Sequence, residues 1–169
     1  MPELQLLTAD HAPAVLAFER ENRTFFAASV PDRGDAFFRD YAARHAALLA
    51  EQDTGAIRCH VLVADDGAGG EILGRFNLYD LADGSAELGF RVAQKATGRG
   101  LATATVHRLF ALAATEYALT RLTANAAKAN HASRAVLTRT GFRPTGHEVD
   151  LRMGGPGLAY ERDLSDIGG

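Results

Sequence analysis

The chain has 169 residues, 47% of them hydrophobic, a formal net charge of −3 at pH 7 and one cysteine. That length suits one domain, residues 1–169, with a full core, and the apolar content argues against disorder. The mildly acidic balance argues against a protein whose main task is gripping nucleic acid or an anionic membrane.

Cys59 has no partner for an internal disulfide, and the six histidines show no metal-ligand spacing, so no metal is expected. The N-terminus lacks a basic segment followed by an apolar run, and no stretch nears the roughly 18 apolar residues that span a bilayer. A soluble, cytoplasmic chain is the expectation.

Residues 3–8 alternate loosely and read as an opening strand. Asp10 has the chemistry of a helix N-cap, with Pro13 in the first turn and Val15, Leu16 and Phe18 on the apolar side. Residues 22–30 suit either loop or helix, and Phe25 and Phe26, just before Pro31, suit either core or the lining of a cavity. Residues 34–52 read as one helix, with Phe37, Phe38, Tyr41, His45, Leu48 and Leu49 recurring every three or four positions. His45 lies on that stripe and is expected to pack. The period then changes to that of strands over residues 56–64 and 71–81, separated by a turn cluster at 65–70, with Gly74 marking a bulge. Within these strands His60 and Cys59 read as structural residues. A turn at 82–85 leads to a third strand, residues 86–92, and short turns between the three predict an antiparallel meander.

The next stretch is the most informative. A strand-like run ends at a polar turn, and a helix begins whose first turn holds Gly98, Arg99 and Gly100. Two glycines at a helix start let the backbone approach a ligand closely, free N–H groups there attract phosphate, and Arg99 adds charge. A Gly-x-Gly alone also fits a plain tight turn. It is neither the dinucleotide fingerprint, which needs a third spaced glycine, nor the nucleotide P-loop, which needs a following Gly-Lys-Ser/Thr. The helix carries Ala102, Val106, Leu109, Phe110, Ala113 and Tyr117 on one face, and residues 119–124 form the next strand, giving a parallel crossover pair. Asn130 suits an N-cap, Ser133 sits in that helix's first turn and Gly141 ends it. Residues 142–151 and 158–164 read as two final strands.

The order of elements, the Thr97-Gly98-Arg99-Gly100-Leu101-Ala102 segment, and Asn130-His131-Ala132-Ser133 followed by Gly141-Phe142 together resemble the GNAT family of N-acetyltransferases. The likeness is greatest to the branch of ribosomal-protein-alanine N-acetyltransferases and is best over residues 87–142. Thr97 stands where the family's pyrophosphate pattern has Gln or Arg, which removes one contact but leaves both glycines and Ala102. The implied fold is α+β: a mixed, mostly antiparallel central sheet of about seven strands flanked by helices, with a parallel splayed pair at its centre.

The resemblance further implies acetyl-CoA as cosubstrate, its diphosphate on Thr97, Gly98, Arg99, Gly100, Leu101, Ala102 and Thr103. Backbone groups of Phe90, Arg91 and Val92 would meet the pantetheine arm and the thioester carbonyl, with Asn130 and Ser133 beside the cofactor. Glu87 is the candidate general base and Ser133 the candidate acid for the leaving thiolate, each weighed against a plain strand glutamate and a helix-capping or CoA-contacting serine. Tyr79 and Asp80 are candidates for the acceptor pocket. His107 and His131 read as solvent-facing. The implied acceptor is a primary amine, foremost the α-amine of a protein N-terminus, with a small amine such as an antibiotic or polyamine, or a non-catalytic acyl-CoA-binding role, as alternatives. No nucleic acid or membrane partner is implied, and relatives in the family are often homodimers.

Overall fold

The alternating apolar runs of the sequence become a sheet, and the three-and-four spacings become the helices that cover it. The computed structural model describes residues 2–64 and 70–167; the turn cluster read at 65–70 lies, apart from Gly70, outside the described residues. Among these, the strands are β1 (Glu3–Leu6), β2 (Arg58–Val63), β3 (Ile72–Ala82), β4 (Ser85–Val92), β5 (Arg121–Ala126), β6 (Arg143–Asp150) and β7 (Pro156–Asp163). They form one seven-stranded sheet in the order β1-β2-β3-β4-β5-β7-β6. All neighbours are antiparallel except β4 and β5. The helices are α1 (Ala12–Glu21), α2 (Arg23–Ala27), α3 (Asp35–Arg39), α4 (Tyr41–Asp53), α5 (Leu101–Thr115) and α6 (His131–Arg139).

The two faces of the sheet take different cover. In β3, Phe76 and Leu78 are fully buried on one face, where Phe76 stacks on Phe90 and its strand partner His60 meets Tyr117 just after α5. Arg75 points to the opposite face and bonds Glu19 of α1. Val106, Leu109, Phe110 and Ala113 of α5 are buried, as their spacing requires.

Two local expectations change. Thr8, not Asp10, starts the first turn, its N–H donating to His11 Nδ1 at 2.9 Å; a 3-10 turn (Ala9–His11) precedes α1, which keeps Pro13 in its first turn. The helix expected over residues 34–52 is two, broken at Asp40 (φ −103°, ψ 19°), whose carbonyl accepts from Ala43 and Arg44. The break lets Phe37, Phe38 and Tyr41 pack edge-on within one buried cluster. Residues 22–30 contain a short helix, α2. At Gly74 the expected bulge is present as a register shift, Leu62 pairing with Gly74 and Val63 with Ile72.

His60, 2% exposed, is held between Phe76 O (3.1 Å) and Tyr117 Oη (2.6 Å), and burial pushes its pKa down to about 4. The unfolded chain therefore takes up this proton first as pH falls below about 6.5. Stability from a neutral His60 is complete above pH 6.5 and is lost as pH falls toward 4, roughly 3 kcal/mol in all. Urea midpoints measured from pH 7 to 4 should show that loss, and His60→Gln should flatten it.

Candidate active site

The site begins where β4 and β5 part. Their parallel rungs are Ser85↔Arg121, Ala86↔Leu122, Glu87↔Thr123 and Leu88↔Ala124. Beyond Leu88, β4 continues against β3 and β5 against β7, with no further rung between them. Ala93 N–H donates to Leu73 O on the β3 side at 2.8 Å. Alternation then turns the N–H groups of Gly89 and Arg91 toward β3 as well, and those of Phe90 and Val92 toward the gap.

After β4 a 3-10 turn (Gln94–Ala96) leads to the start of α5, and Thr97 Oγ1 donates to Gln94 O at 2.7 Å. Gly98 and Gly100 have φ of 75° and 71°, backbone that side-chain-bearing residues avoid, and a Cβ at either would meet nothing within 4 Å. Gly100 is the N-cap of a 15-residue helix and no side chain caps the first turn. Free donors, the positive end of the helix and open space coincide, which is an anion cradle.

The cradle walls a cavity of about 670 Å³. Thr97, Gly98, Gly100, Leu101, Ala102 and Thr103 line one side, Phe90, Arg91 and Val92 the sheet side, Asn130 and Ser133 the start of α6, and Phe25 and Phe26 the α2 side. The side chain of Arg99, between the two left-handed glycines, is exposed and lies outside this lining. Asn130 caps α6, its Oδ1 accepting from Ser133 N–H at 3.2 Å. Among the described residues the Ser133 hydroxyl makes no hydrogen bond. Gly100→Ala should lower Tm by about 2–4 °C through roughly 1 kcal/mol of left-handed strain. It should also weaken CoA binding about tenfold in a calorimetric titration, because the new methyl intrudes on the cradle.

A second cavity of about 280 Å³ continues from the first. Val30, Phe90, Arg91, Asn130 and Ser133 line both, so the two meet at the splay. Glu87, whose side chain is 21% exposed, lines the inner one; its Oε1 accepts from Arg152 Nη2 at 3.3 Å. The same Arg152 nitrogen donates to Asp80 Oδ2 at 2.6 Å, and the guanidinium lies 4.1 Å over the ring of Tyr79. Tyr79 lines the cavity; Asp80 does not, but sits in a bulge of β3 with φ 56° that brings its carboxylate to Arg152. His107 and His131 are both exposed, and His131 also borders the larger cavity.

Two joined cavities, a diphosphate-type cradle in one and a carboxylate in the other, suit a transfer between two substrates that meet in the sheet. The model for the acetyltransferase (GNAT) domain matches residues 3–143. The chain belongs to the GNAT acetyltransferase family. Among solved structures, the ribosomal-protein-S5-alanine acetyltransferase from Vibrio fischeri has a TM-score of 0.85 at 20% identity, over 99% of this chain and 96% of that one. RimJ of Mycobacterium smegmatis, in complex with CoA-disulfide, gives 0.83 at 21%, over 100% and 88%. The Microcin C7 self-immunity acetyltransferase MccE, in complex with acetyl-CoA and AMP, gives 0.78 at 16%, over 95% and 92%. These likenesses describe a shared GNAT fold. No curated protein sequence matches significantly. Among the described residues no helix is long and apolar enough to cross a membrane.

This GNAT acetyltransferase also contains a charged cluster that local sequence patterns do not announce. Glu19 of α1, 1% exposed, accepts from Arg33 (3.2 Å), Arg75 (2.9 Å) and Arg91 (3.0 Å). Burial works to raise its pKa, but the three guanidiniums outweigh it and hold the carboxyl below its ordinary value. Burial pushes Arg91 down to about 10, against the pull of Glu19. The one signal in the sequence is a row of polar residues, Arg75, Asn77 and Tyr79, alternating along an otherwise apolar strand.

Proposed function

We propose that this acetyltransferase moves an acetyl group from acetyl-CoA directly to the α-amine of a protein N-terminus. The observation that carries the reading is the meeting of the two cavities at the β4–β5 splay, with Ser133 bordering both and Glu87 on the inner side only. The name of the ribosomal-protein-S5-alanine acetyltransferase among its structural relatives supports the acceptor class.

Acetyl-CoA fits the larger cavity. The first-turn N–H groups after Gly98 and Gly100 would hold its diphosphate, and the N–H groups of Phe90 and Val92 would meet the arm and the thioester carbonyl oxygen. The amine nitrogen attacks that carbonyl carbon and the C–S bond breaks. The proton lost by the amine passes to the Glu87 carboxylate, directly or through water. The thiolate of CoA takes a proton or a hydrogen bond from the Ser133 hydroxyl. Arg152 holds Glu87 in place, and Asp80 holds Arg152.

The test is a panel of peptides with free N-termini, and of small amines, incubated with acetyl-CoA. Release of CoA thiol above the uncatalysed rate, with acetyl found on the peptide α-amine, is the expected result. Thiol release only with small amines would remove the N-terminal acceptor. No release with any amine, in protein that binds CoA, would remove catalysis.

A further inference from the structure

The inner cavity is polarised along its length. Arg75, Asn77 and Tyr79 alternate onto one face of β3, and their partners across β4 are Arg91, Gly89 and Glu87. All six line the cavity. One end is therefore a pair of arginines and the other ends in a carboxylate.

The cationic end is not neutralised by its neighbours. The side chains of Arg33, Arg75 and Arg91 are 25%, 7% and 14% exposed, and among the described residues they share one carboxylate, Glu19. With the adjoining Arg23, which binds Asp32 and Asp35 beside Arg33, four guanidinium charges meet three carboxylates and leave a surplus of one. The rings of Phe37 and Phe26, under Arg33 and Arg91, ease that surplus without cancelling it. Tying α1 to the sheet needs one arginine, and additional buried charge without a counter-charge is costly. At the other end Glu87 and Asp80 share the single Arg152, so the sign is reversed. Between the ends stands Asn77, 8% exposed, whose Nδ2 donates to Tyr79 Oη at 3.0 Å.

We infer that the acceptor is an amine that also carries an anionic group, carboxylate or phosphate. Arg33, Arg75 and Arg91 bind the anion, and the amine lies toward Glu87. Arg91 and Glu87 are four positions apart on β4, about 14 Å of backbone at about 3.4 Å per residue, and both side chains shorten that span. An acidic side chain two or three residues into a peptide reaches across it. The inference rests on the acetyltransferase reading above and narrows its acceptor. The chain's overall negative charge gives the opposite impression, because the local field of the cavity, and not the total, meets the acceptor.

The test uses peptides identical except that the second and third residues are Asp, Asn or Lys, at saturating acetyl-CoA. The expected kcat/KM is about tenfold or more higher for Asp than for Asn, and lowest for Lys. Arg33→Gln should bring the Asp/Asn ratio within about threefold, and about 0.5 M salt should shrink it in the wild type. Equal rates for Asp and Asn, a preference for Lys, or an Asp/Asn ratio unchanged by Arg33→Gln would overturn the inference. O-phosphoethanolamine and ethanolamine, run in parallel, separate the two readings. If the phosphate-bearing amine is preferred while all peptides are inert, the N-terminal acceptor falls and the anion site stands. If no amine turns over, titration of the Asp and Asn peptides into CoA-saturated protein decides: tighter Asp binding supports the site, and equal binding removes it.

Discussion

Replacing Glu87 by Gln lowers kcat by about 10²- to 10³-fold while CoA affinity stays within about threefold. The substitution keeps the shape of the side chain and an oxygen that accepts from Arg152, so the arrangement of Arg152, Asp80 and Tyr79 persists. What it removes is a carboxylate able to take the proton that leaves the attacking amine. Glu87 lines the inner cavity and not the larger one, so the donor should bind as before. A residue that served only to position Arg152 would lose far less on becoming Gln. The pH dependence separates the roles further. Without a carboxylate the variant depends on amine already deprotonated in solution, and an α-amine has a pKa near 8, so its relative activity should recover as pH rises past that value. Steady-state thiol release from pH 6.5 to 9.5, paired with calorimetric CoA binding, reads both. A variant with wild-type kcat at neutral pH would remove Glu87 from the chemistry.

Glu19→Gln has its large effect on the fold. The carboxylate is 1% exposed and receives hydrogen bonds from three arginines, on the loop before α3, on β3 and on β4. Neutralising it leaves those guanidiniums facing one another with no counter-charge, and turns an amide N–H₂ toward donors that need an acceptor. Breaking one side of a buried ion cluster in this way costs about 3–5 kcal/mol. For a chain of this length that is a fall in Tm of about 10 °C. Sulfate should restore part of it by supplying the missing negative charge, whereas chloride at equal ionic strength should restore less. A Tm within about 2 °C of wild type would mean that water already neutralises the cluster.

The elements whose cause is local were legible in the sequence. Gly98 and Gly100 need left-handed backbone, Asn130 caps its own helix, and the long apolar face of α5 requires a crossover between parallel strands. Glu19 was not legible, because its partners lie 14, 56 and 72 positions away and leave no periodic trace. The break at Asp40 was also hidden. The apolar spacing of residues 37–45 continues across it, and only the packing of Phe37 against Phe38 and Tyr41 distinguishes two helices from one. Arg99 is a different case. It adjoins the cradle in sequence between two glycines of positive φ, and its side chain is exposed and outside the cavity lining.

The four rungs between β4 and β5 have a mechanical meaning. They join two half-sheets, the meander of β1 to β4 and the trio of β5, β7 and β6, along one end only. The arrangement is that of a book held by the lower part of its spine, with α5 as the tie between covers. The softest motion open to such a sheet is a change in the angle between the halves, and that angle sets the width of the slot proposed above for the acetyl donor. A donor bridging the slot would supply the rungs that the chain omits and so brace the protein until the amine arrives.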